Sequence, residues 1–468
     1  MFLEALRAAV GADYCLTDPA QLDRYAHDET EDLHYLPTVV VLPNSTDEVA
    51  AVMRICHTHH IAVTPRGGGS GLAGGALPVR GGVVLSLERM NRIVSIDERN
   101  GQVTTEAGVV TETLQNTLRE RGLFYPPDPS SRGWSFIGGN VSTNAGGPRA
   151  VKYGVVKDYV LNLEVVLPTG DVIWTGANTL KNSTGYNLTQ LFVGSEGTLG
   201  VVTQIVLRLL PYPTYNLLML VPFRDPRKAC EAVAAIFRAG VTPSALEFME
   251  RDAIDWAMDY VGDTNLPPIG DDVGAHLLIE VDGAHLEPLY TDCETITRTV
   301  EAFGAGEILF ADTEAQKADL WKLRRNVANA VKTRSVYKEE DTVVPRAELP
   351  TLLEGVKRIG GAYGFRSVCY GHAGDGNLHV NIIRGDLSSD VWATELPKAI
   401  REIFTLVKSL GGTLSGEHGI GWVQREYLDI VFPPVTLALM QSLKNVFDPT
   451  GIMNPDKGSA TGQLPTTN

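Results

Sequence analysis

The chain has 468 residues, 44% hydrophobic and 21% charged, with 40 Lys and Arg against 56 Asp and Glu and a formal charge of −16. That length accommodates two or three domains with full cores, and the composition excludes a disordered chain. An acidic balance without a basic stripe excludes binding to a nucleic-acid backbone.

No apolar run is long enough to span a bilayer, and the opening MFLEALRAAVGADYC has an acid at position 4 and no cationic leader. The chain is therefore expected neither to span nor to cross a membrane. Its cysteines, Cys15, Cys56, Cys230, Cys293 and Cys369, are scattered and never in a C-x-x-C spacing. They suit a reducing cytoplasm and exclude an all-Cys iron–sulfur cluster within this chain.

In chain order, residues 1–33 read as an N-terminal helical segment. TDEVAAVMRICHTHH, capped by Thr46, reads as a helix, and His57, His59 and His60 as its solvated end. The strand Ile61 to Arg66 follows, then PRGGGSGLAGGALP, with G-x-G-x-x-G at Gly69, Gly71 and Gly74. A Rossmann loop must open directly into a helix, whose N-terminus holds the pyrophosphate. Here GALPVRGG and another strand, GVVLSLERM, occupy that place, which argues against the Rossmann reading. What remains is six glycines in nine residues, Gly67 to Gly75. Such a loop can turn several backbone amides toward one anion.

A second glycine run, FIGGNVSTNAGGPRAVKYGVVKDYV, follows the proline-stiffened FYPPDPSS. A third, LFVGSEGTLGVVT, precedes a strand. Read as three polar loops between strands, they imply one long phosphate-containing ligand across a sheet-rich domain. The texture changes at LLPYP, residues 209–213, to strands and helices in β-α-β-β-α-β order, a ferredoxin-like arrangement. Further helices are expected over residues 314–333, 348–360 and 394–410, and the tail from residue 458 reads as loose.

Within the helix EAQKADLWKLRRNVANAVK, Arg324 lies in the middle of the apolar face formed by Leu320, Trp321, Leu323, Val327, Ala328, Ala330 and Val331. A buried guanidinium needs an anionic partner, a protein carboxylate or a ligand. In SVCYGHAGDGNLHVNII, Asp375-Gly376 signals a hairpin. A two-residue turn there would set His372 opposite His379, on one face and close enough to share a metal ion. Glu417, with His418 beside it in SGEHGIG, is a candidate third ligand. Asn381 shares the face of His379 and could touch substrate or metal.

The order PRGGGSGLAGG, PPDP, IGGNVSTNAGG, GSEGTLGVVT resembles the FAD-binding domain of the vanillyl-alcohol oxidase flavoproteins, the PCMH type. The rest of the chain resembles their glycolate oxidase, D-lactate dehydrogenase and D-2-hydroxyglutarate dehydrogenase branch, and the whole resemblance spans roughly residues 34–457. The resemblance implies an α+β chain in parts. Residues 34–213 would form a PCMH-type FAD-binding domain of two α/β subdomains. Residues 214–411 would form a ferredoxin-like substrate or cap domain with the metal site. Residues 412–457 would return to the flavin domain, and 458–468 would be a tail.

It implies FAD held by Pro65, Arg66, Gly67, Gly68, Gly69, Ser70, Gly71, Gly74 and Gly75 in the first run, and by Pro127 and Asp128 before the second. Gly138, Gly139, Ser142, Thr143, Asn144, Gly146 and Gly154 would contribute from the second run, Glu196, Gly197, Gly200 and Val202 from the third, and Asn454 near the end. Ser70 stands where covalent members often carry His or Cys, so the flavin is expected to be noncovalent. Asp456 replaces the glycine of an N-P-G-K pattern. By the same resemblance Arg324 binds the substrate carboxylate, Lys338 reaches the same region, and His372, His379 and Glu417 hold a divalent metal, Zn, Mn or Fe. His418 is the base.

The implied reaction oxidises a D-2-hydroxy acid to the 2-oxo acid by hydride transfer to flavin N5. No cluster, haem or nicotinamide motif is in the sequence, so electrons are expected to pass to an external quinone, cytochrome, electron-transfer flavoprotein or iron–sulfur subunit. The setting is the cytoplasm, with a partner able to hold the chain at a membrane periphery, and a homodimer is compatible. A metal-dependent hydrolase would leave the glycine runs idle. An electron-transfer flavoprotein would leave the histidines and Arg324 idle, and an aryl or polyol oxidase would need no metal pair.

Overall fold

A computed structural model of the protein describes residues 2–262, 269–311 and 313–458. The chain divides into two compact units, the first of residues 1–146, 155–212 and 417–468, the second of residues 147–154 and 213–416. No helix among the described residues is long and apolar enough to cross a membrane.

The strands of the first unit are β1 (Cys15–Leu16), β2 (Val39–Val41), β3 (Val63–Arg66), β4 (Val83–Ser86), β5 (Ile93–Asp97), β6 (Gln102–Glu106), β7 (Leu123–Phe124), β8 (Val160–Val166), β9 (Val172–Trp174), β10 (Val201–Arg208) and β11 (Leu210–Pro211). One sheet runs β1-β2-β4-β3, a second β5-β6-β10-β8-β9, and β11 pairs with β7. In the first sheet β2, β4 and β3 are parallel, and VVV and VVLS are buried throughout because both faces are covered.

The helix Thr46–His59 connects β2 to β3. Its cap is Ser45, whose side chain accepts from the Glu48 amide at 3.2 Å, so the expected cap at Thr46 is one residue late. The first 33 residues belong to this unit: Leu6, Val10 and Cys15 enter its core, and β1 pairs with β2. Between β3 and β4 there is no helix. The second glycine run differs from expectation, because Ile137–Thr143 is a helix rather than a loop. Gly138 is required there by packing, since a Cβ would sit 2.6 Å from that of Ala107. That close approach outweighs the low helix propensity of glycine.

The strands of the second unit are β12 (Tyr215–Phe223), β13 (Ala245–Glu250), β14 (Ala275–Gly283), β15 (Leu309–Phe310), β16 (Tyr337–Val343), β17 (Arg366–Gly371) and β18 (Asn377–Ile383). They form one antiparallel sheet of order β15-β12-β14-β13-β17-β18-β16. The first four give the ferredoxin-like order, crossed by the helices Pro226–Arg238 and Leu286–Glu301. A helix unread from sequence, Arg251–Val261, sits between β13 and β14. The helix expected over 314–333 is broken into Glu314–Arg325 and Val327–Arg334. The break lies at Asn326, whose side chain donates back to the Lys322 carbonyl at 2.8 Å.

The histidine hairpin is also wider than expected. Tyr370, not His372, pairs with His379. The turn is four residues rather than two: the His372 carbonyl accepts from the Asp375 amide at 3.0 Å and the Asn377 amide at 3.2 Å. A slip of two residues keeps every side chain on its face, so His372 and His379 remain neighbours along a diagonal. Gly376 closes this turn at φ 79°, and a Cβ there would run into the Val344 carbonyl. Gly376→Ala is therefore expected to destabilise the protein by about 2–4 kcal/mol, from left-handed strain plus the clash. Denaturant unfolding checks this, and an unchanged midpoint would show that the turn is not under that constraint.

Candidate active site

The first unit presents a cradle of glycine backbone. Space is open where a Cβ would stand at Gly71, Gly75 and Gly139. The buried Arg66 guanidinium lies beneath Gly69 (φ 73°), and its Nη1 has no hydrogen-bond partner among the described residues. Burial lowers the Arg66 pKa, with Asp28 opposing. An enclosed cation with an unmet donor beside side-chain-free backbone suits a long anionic ligand. Residues 29 and 30 strap the loop: the Glu29 amide donates to the Gly71 carbonyl at 3.1 Å, and the Gly74 amide to Thr30 Oγ1 at 2.7 Å.

Other expected cofactor residues have other visible tasks. Gly200 allows close packing, since a Cβ would lie 2.7 Å from Val165, and Val202 is buried in β10. Ser142 and Thr143 fold back onto the Gly138 and Gly139 carbonyls at 2.9 and 3.3 Å. Asn144 accepts from the Lys157 amide at 2.9 Å, and the Pro127 carbonyl from Gln115 at 2.8 Å. Gly154 ends the helix Ala150–Tyr153 in the second unit.

Glu196, at φ 52°, accepts from the Ile420 amide at 3.0 Å and the Gly421 amide at 2.6 Å. Burial pushes its pKa up while these donors pull it down. Glu196 thus anchors the segment that follows Glu417 and His418. Glu417 itself lies against Gly146, 3.0 Å from where a Cβ would stand, and 3.9 Å from His418 Nε2.

Asn454 (φ 39°) donates to the Gly75 carbonyl at 3.0 Å and the Glu196 carbonyl at 2.8 Å, stitching the first glycine run to the third. Asp456 adopts φ 65°, the left-handed conformation a glycine would take, and Asp tolerates it.

In the second unit, strand register gathers a polar cluster on one sheet face. Met249 pairs with Tyr370, so Glu247 faces His372. Tyr370 and Asp341 each pair with His379, and Glu339 pairs with Asn381. The His372 and His379 rings are 5.4 Å apart, edge to face. His372 Nδ1 is 2.8 and 2.9 Å from the two Glu247 oxygens. Glu339 Oε1 is 3.3 Å and Asp341 Oδ1 3.8 Å from His379 Nδ1.

Arg324, 4% exposed, reaches the same Glu247 with Nη2 at 2.6 Å and lies over the Tyr370 ring at 5.1 Å. The Arg324 contact is an ion pair rather than an aligned hydrogen bond, and its Nε makes no hydrogen bond among the described residues. Burial pushes the Glu247 carboxyl up, but His372 and Arg324 outweigh it and hold it below its ordinary value.

Asn381 is fully buried, against the Tyr370 hydroxyl. Lys338 is not brought to this cluster: it pairs with Ile382 and alternates to the opposite face from Glu339 and Asp341. Sequence reasoning missed Glu247, although a glutamate set between the apolar Leu246 and Phe248 was a signal.

It also missed Lys457, which is buried and donates to the Gly75 carbonyl at 3.0 Å and to Asn454 Oδ1 at 2.8 Å. Burial lowers its pKa to about 7. The unfolded lysine keeps its proton to about 10.4, so between those values the unfolded state binds more protons and stability rises with pH. Lys457→Met is expected to flatten that rise, which can reach about 1.4 kcal/mol per pH unit. Unfolding of FAD-free protein at about pH 7 and about pH 9 reads it. A parent no steeper than the variant would contradict the burial argument.

Residues 212–458 match the C-terminal domain of the FAD linked oxidases and residues 37–176 an FAD binding domain. The chain is 38% identical to a D-lactate dehydrogenase of Anaerostipes hadrus over 90% of its own length and 89% of that protein's. It is also 38% identical to the glycolate oxidase subunit GlcD of Bacillus subtilis over 92% and 91% of the two chains. A p-cresol methylhydroxylase structure shares the fold at TM-score 0.76 and 19% identity, covering 97% of this chain and 96% of that one. With a domain match over more than half its length and relatives alike from end to end, the chain belongs to the FAD-linked oxidases.

Proposed function

We propose that the chain is a dehydrogenase that uses noncovalent FAD to oxidise a D-2-hydroxy acid, of the D-lactate, glycolate or D-2-hydroxyglutarate type, to its 2-oxo acid. The observation that carries this reading is the buried Arg324, with an unmet Nε–H, beside two imidazoles on one sheet face. A guanidinium fork so placed suits a carboxylate, and adjacent imidazoles suit the chemistry of a neighbouring hydroxyl.

A divalent metal fits the donor set. Glu247 occupies His372 Nδ1, which leaves Nε2 as the coordinating atom, the arrangement usual for metal-bound histidine. Glu247, Glu339 and Asp341 face Arg324 and the imidazoles, and a cation would offset this buried negative charge. His372, His379 and Glu417 would hold the ion, Zn, Mn or Fe. Glu417 is one peptide bond beyond Gly416, whose amide donates to the Asp341 carbonyl at 3.1 Å. When bound, FAD supplies the hydride acceptor and the ion the Lewis acidity that makes a hydroxyl more acidic.

The chain's own groups would do the rest. Arg324 grips the carboxylate and fixes the orientation of the α-carbon. His418 takes the hydroxyl proton. Asn381 offers a buried amide to the substrate. Electrons would leave to an external quinone, cytochrome, electron-transfer flavoprotein or iron–sulfur subunit.

Anaerobic mixing with D- and L-lactate, glycolate and D-2-hydroxyglutarate tests the reaction through the flavin's visible absorption. One D-acid or glycolate is expected to bleach it, with loss of bleaching on chelation and return on adding metal. No bleaching by any acid, with flavin and metal both present, would overturn the reading. Arg324→Lys keeps the charge but loses the fork, and is expected to lower kcat/KM by about 10–100-fold, the loss of one or two charge-assisted hydrogen bonds. Steady-state kinetics with the bleaching acid checks it, and an unchanged value would remove Arg324 from substrate binding.

A further inference from the structure

We propose that Glu247 is the positioning residue that couples the metal site to the carboxylate anchor, by fixing the tautomer of His372 and the seat of Arg324 with one side chain. The inference rests on the metal reading above and adds a residue to it.

Glu247 is fully buried in the middle of β13. Both its oxygens lie within hydrogen-bond distance of His372 Nδ1, at 2.8 and 2.9 Å, and Oε2 also meets Arg324 Nη2 at 2.6 Å. An ionised carboxylate accepts only, so Nδ1 must carry the proton. The ring's lone pair is then confined to Nε2, the nitrogen left for coordination. Without that carboxylate the imidazole could take either tautomer, and the ring would lose its orientation.

The same carboxylate is the counter-charge of Arg324. Tyr370 forms the other side of the seat, with its ring 5.1 Å from the guanidinium carbon. Among the described residues, a neutral group at 247 would leave Arg324 with the Tyr370 aromatic face as its remaining contact. No second acid among the described residues performs this double task. Glu280, on the adjacent β14, instead accepts from Trp321 Nε1 at 3.0 Å and lies 3.7 Å from Arg149. On the other imidazole, Glu339 lies 3.3 Å from His379 Nδ1. The cation site and the anion anchor are thus linked through Glu247, and binding at one alters the other reciprocally.

The test uses FAD-loaded protein and two variants. Glu247→Gln keeps the reach and removes the charge, and Glu247→Asp keeps the charge and shortens the reach. Zinc affinity is measured by competition with a chromogenic chelator, and oxalate binding to zinc-saturated protein by the change in the flavin spectrum. Each folded variant is expected to bind zinc about 10–100-fold more weakly and oxalate about 10-fold or more weakly. Glu280→Gln, which removes a buried acid without touching His372, is expected to leave zinc affinity within about twofold.

A folded Glu247 variant that binds zinc within about twofold of the parent overturns the proposal. So does loss of zinc affinity in Glu280→Gln equal to that in Glu247→Gln, which would mark a general structural effect. His372→Ala separates this from the reading beneath it. If His372→Ala loses zinc while the Glu247 variants keep it, only the role of Glu247 fails. If His372→Ala keeps zinc as well, the metal reading fails.

Discussion

A buried carboxylate is tolerated only when cations and hydrogen-bond donors surround it, and Glu247 imposes that constraint on the second unit. It draws His372 and Arg324 to a single point of the sheet. The three residues come from distant parts of the sequence: Glu247 from a strand of the ferredoxin-like core, His372 from the tip of an added hairpin, and Arg324 from a helix. The hairpin must therefore pair on the β13 edge and no other, because only there does residue 372 face residue 247. Extension of the four-stranded core by β17, β18 and β16 is the structural counterpart of that charge pairing.

The first unit depends on a different constraint, the conformational freedom of backbone. Its glycine run is shaped by what replaces side chains: Thr30 and Glu29 strap it, Arg66 lies beneath it, and Asn454 and Lys457 hold the Gly75 carbonyl. Residues 452–454 also pair along β3, with the Val63 amide donating to the Ile452 carbonyl at 2.8 Å and the Asn454 amide to the Val63 carbonyl at 2.7 Å. This segment thereby closes the edge next to the glycine run, which limits the movement of a loop with almost no side chains of its own.

Features encoded by neighbours in sequence were legible. The glycine run could be separated from a Rossmann loop because the test is local: a helix must follow, and Pro78 with its flanking glycines forbids one. Arg324 stood out because a helix period of 3.6 places it among Leu320, Leu323 and Val327. Alternation along VNII and its flanks placed His372, His379 and Asn381 on one face, and the face survived an error of register because the slip was even. Less was legible where competing local choices were nearly equal. Asn326 ended a helix that periodicity would have continued, and IGGNVST became helical because Gly138 packs on Ala107.

The amino-acid sequence by itself determined most of the elements, the backbone freedom of the glycine runs, and which side chains could not rest alone in an apolar face. Those properties are set within a few residues by steric allowance, periodicity and the cost of burying charge. Only the tertiary structure decided the partners. Glu247 lies 125 positions from His372, Lys457 lies 382 from Gly75, and the face that Lys338 presents follows from its register against Ile382. Such pairings depend on strand order and chain return, which no local window of sequence contains.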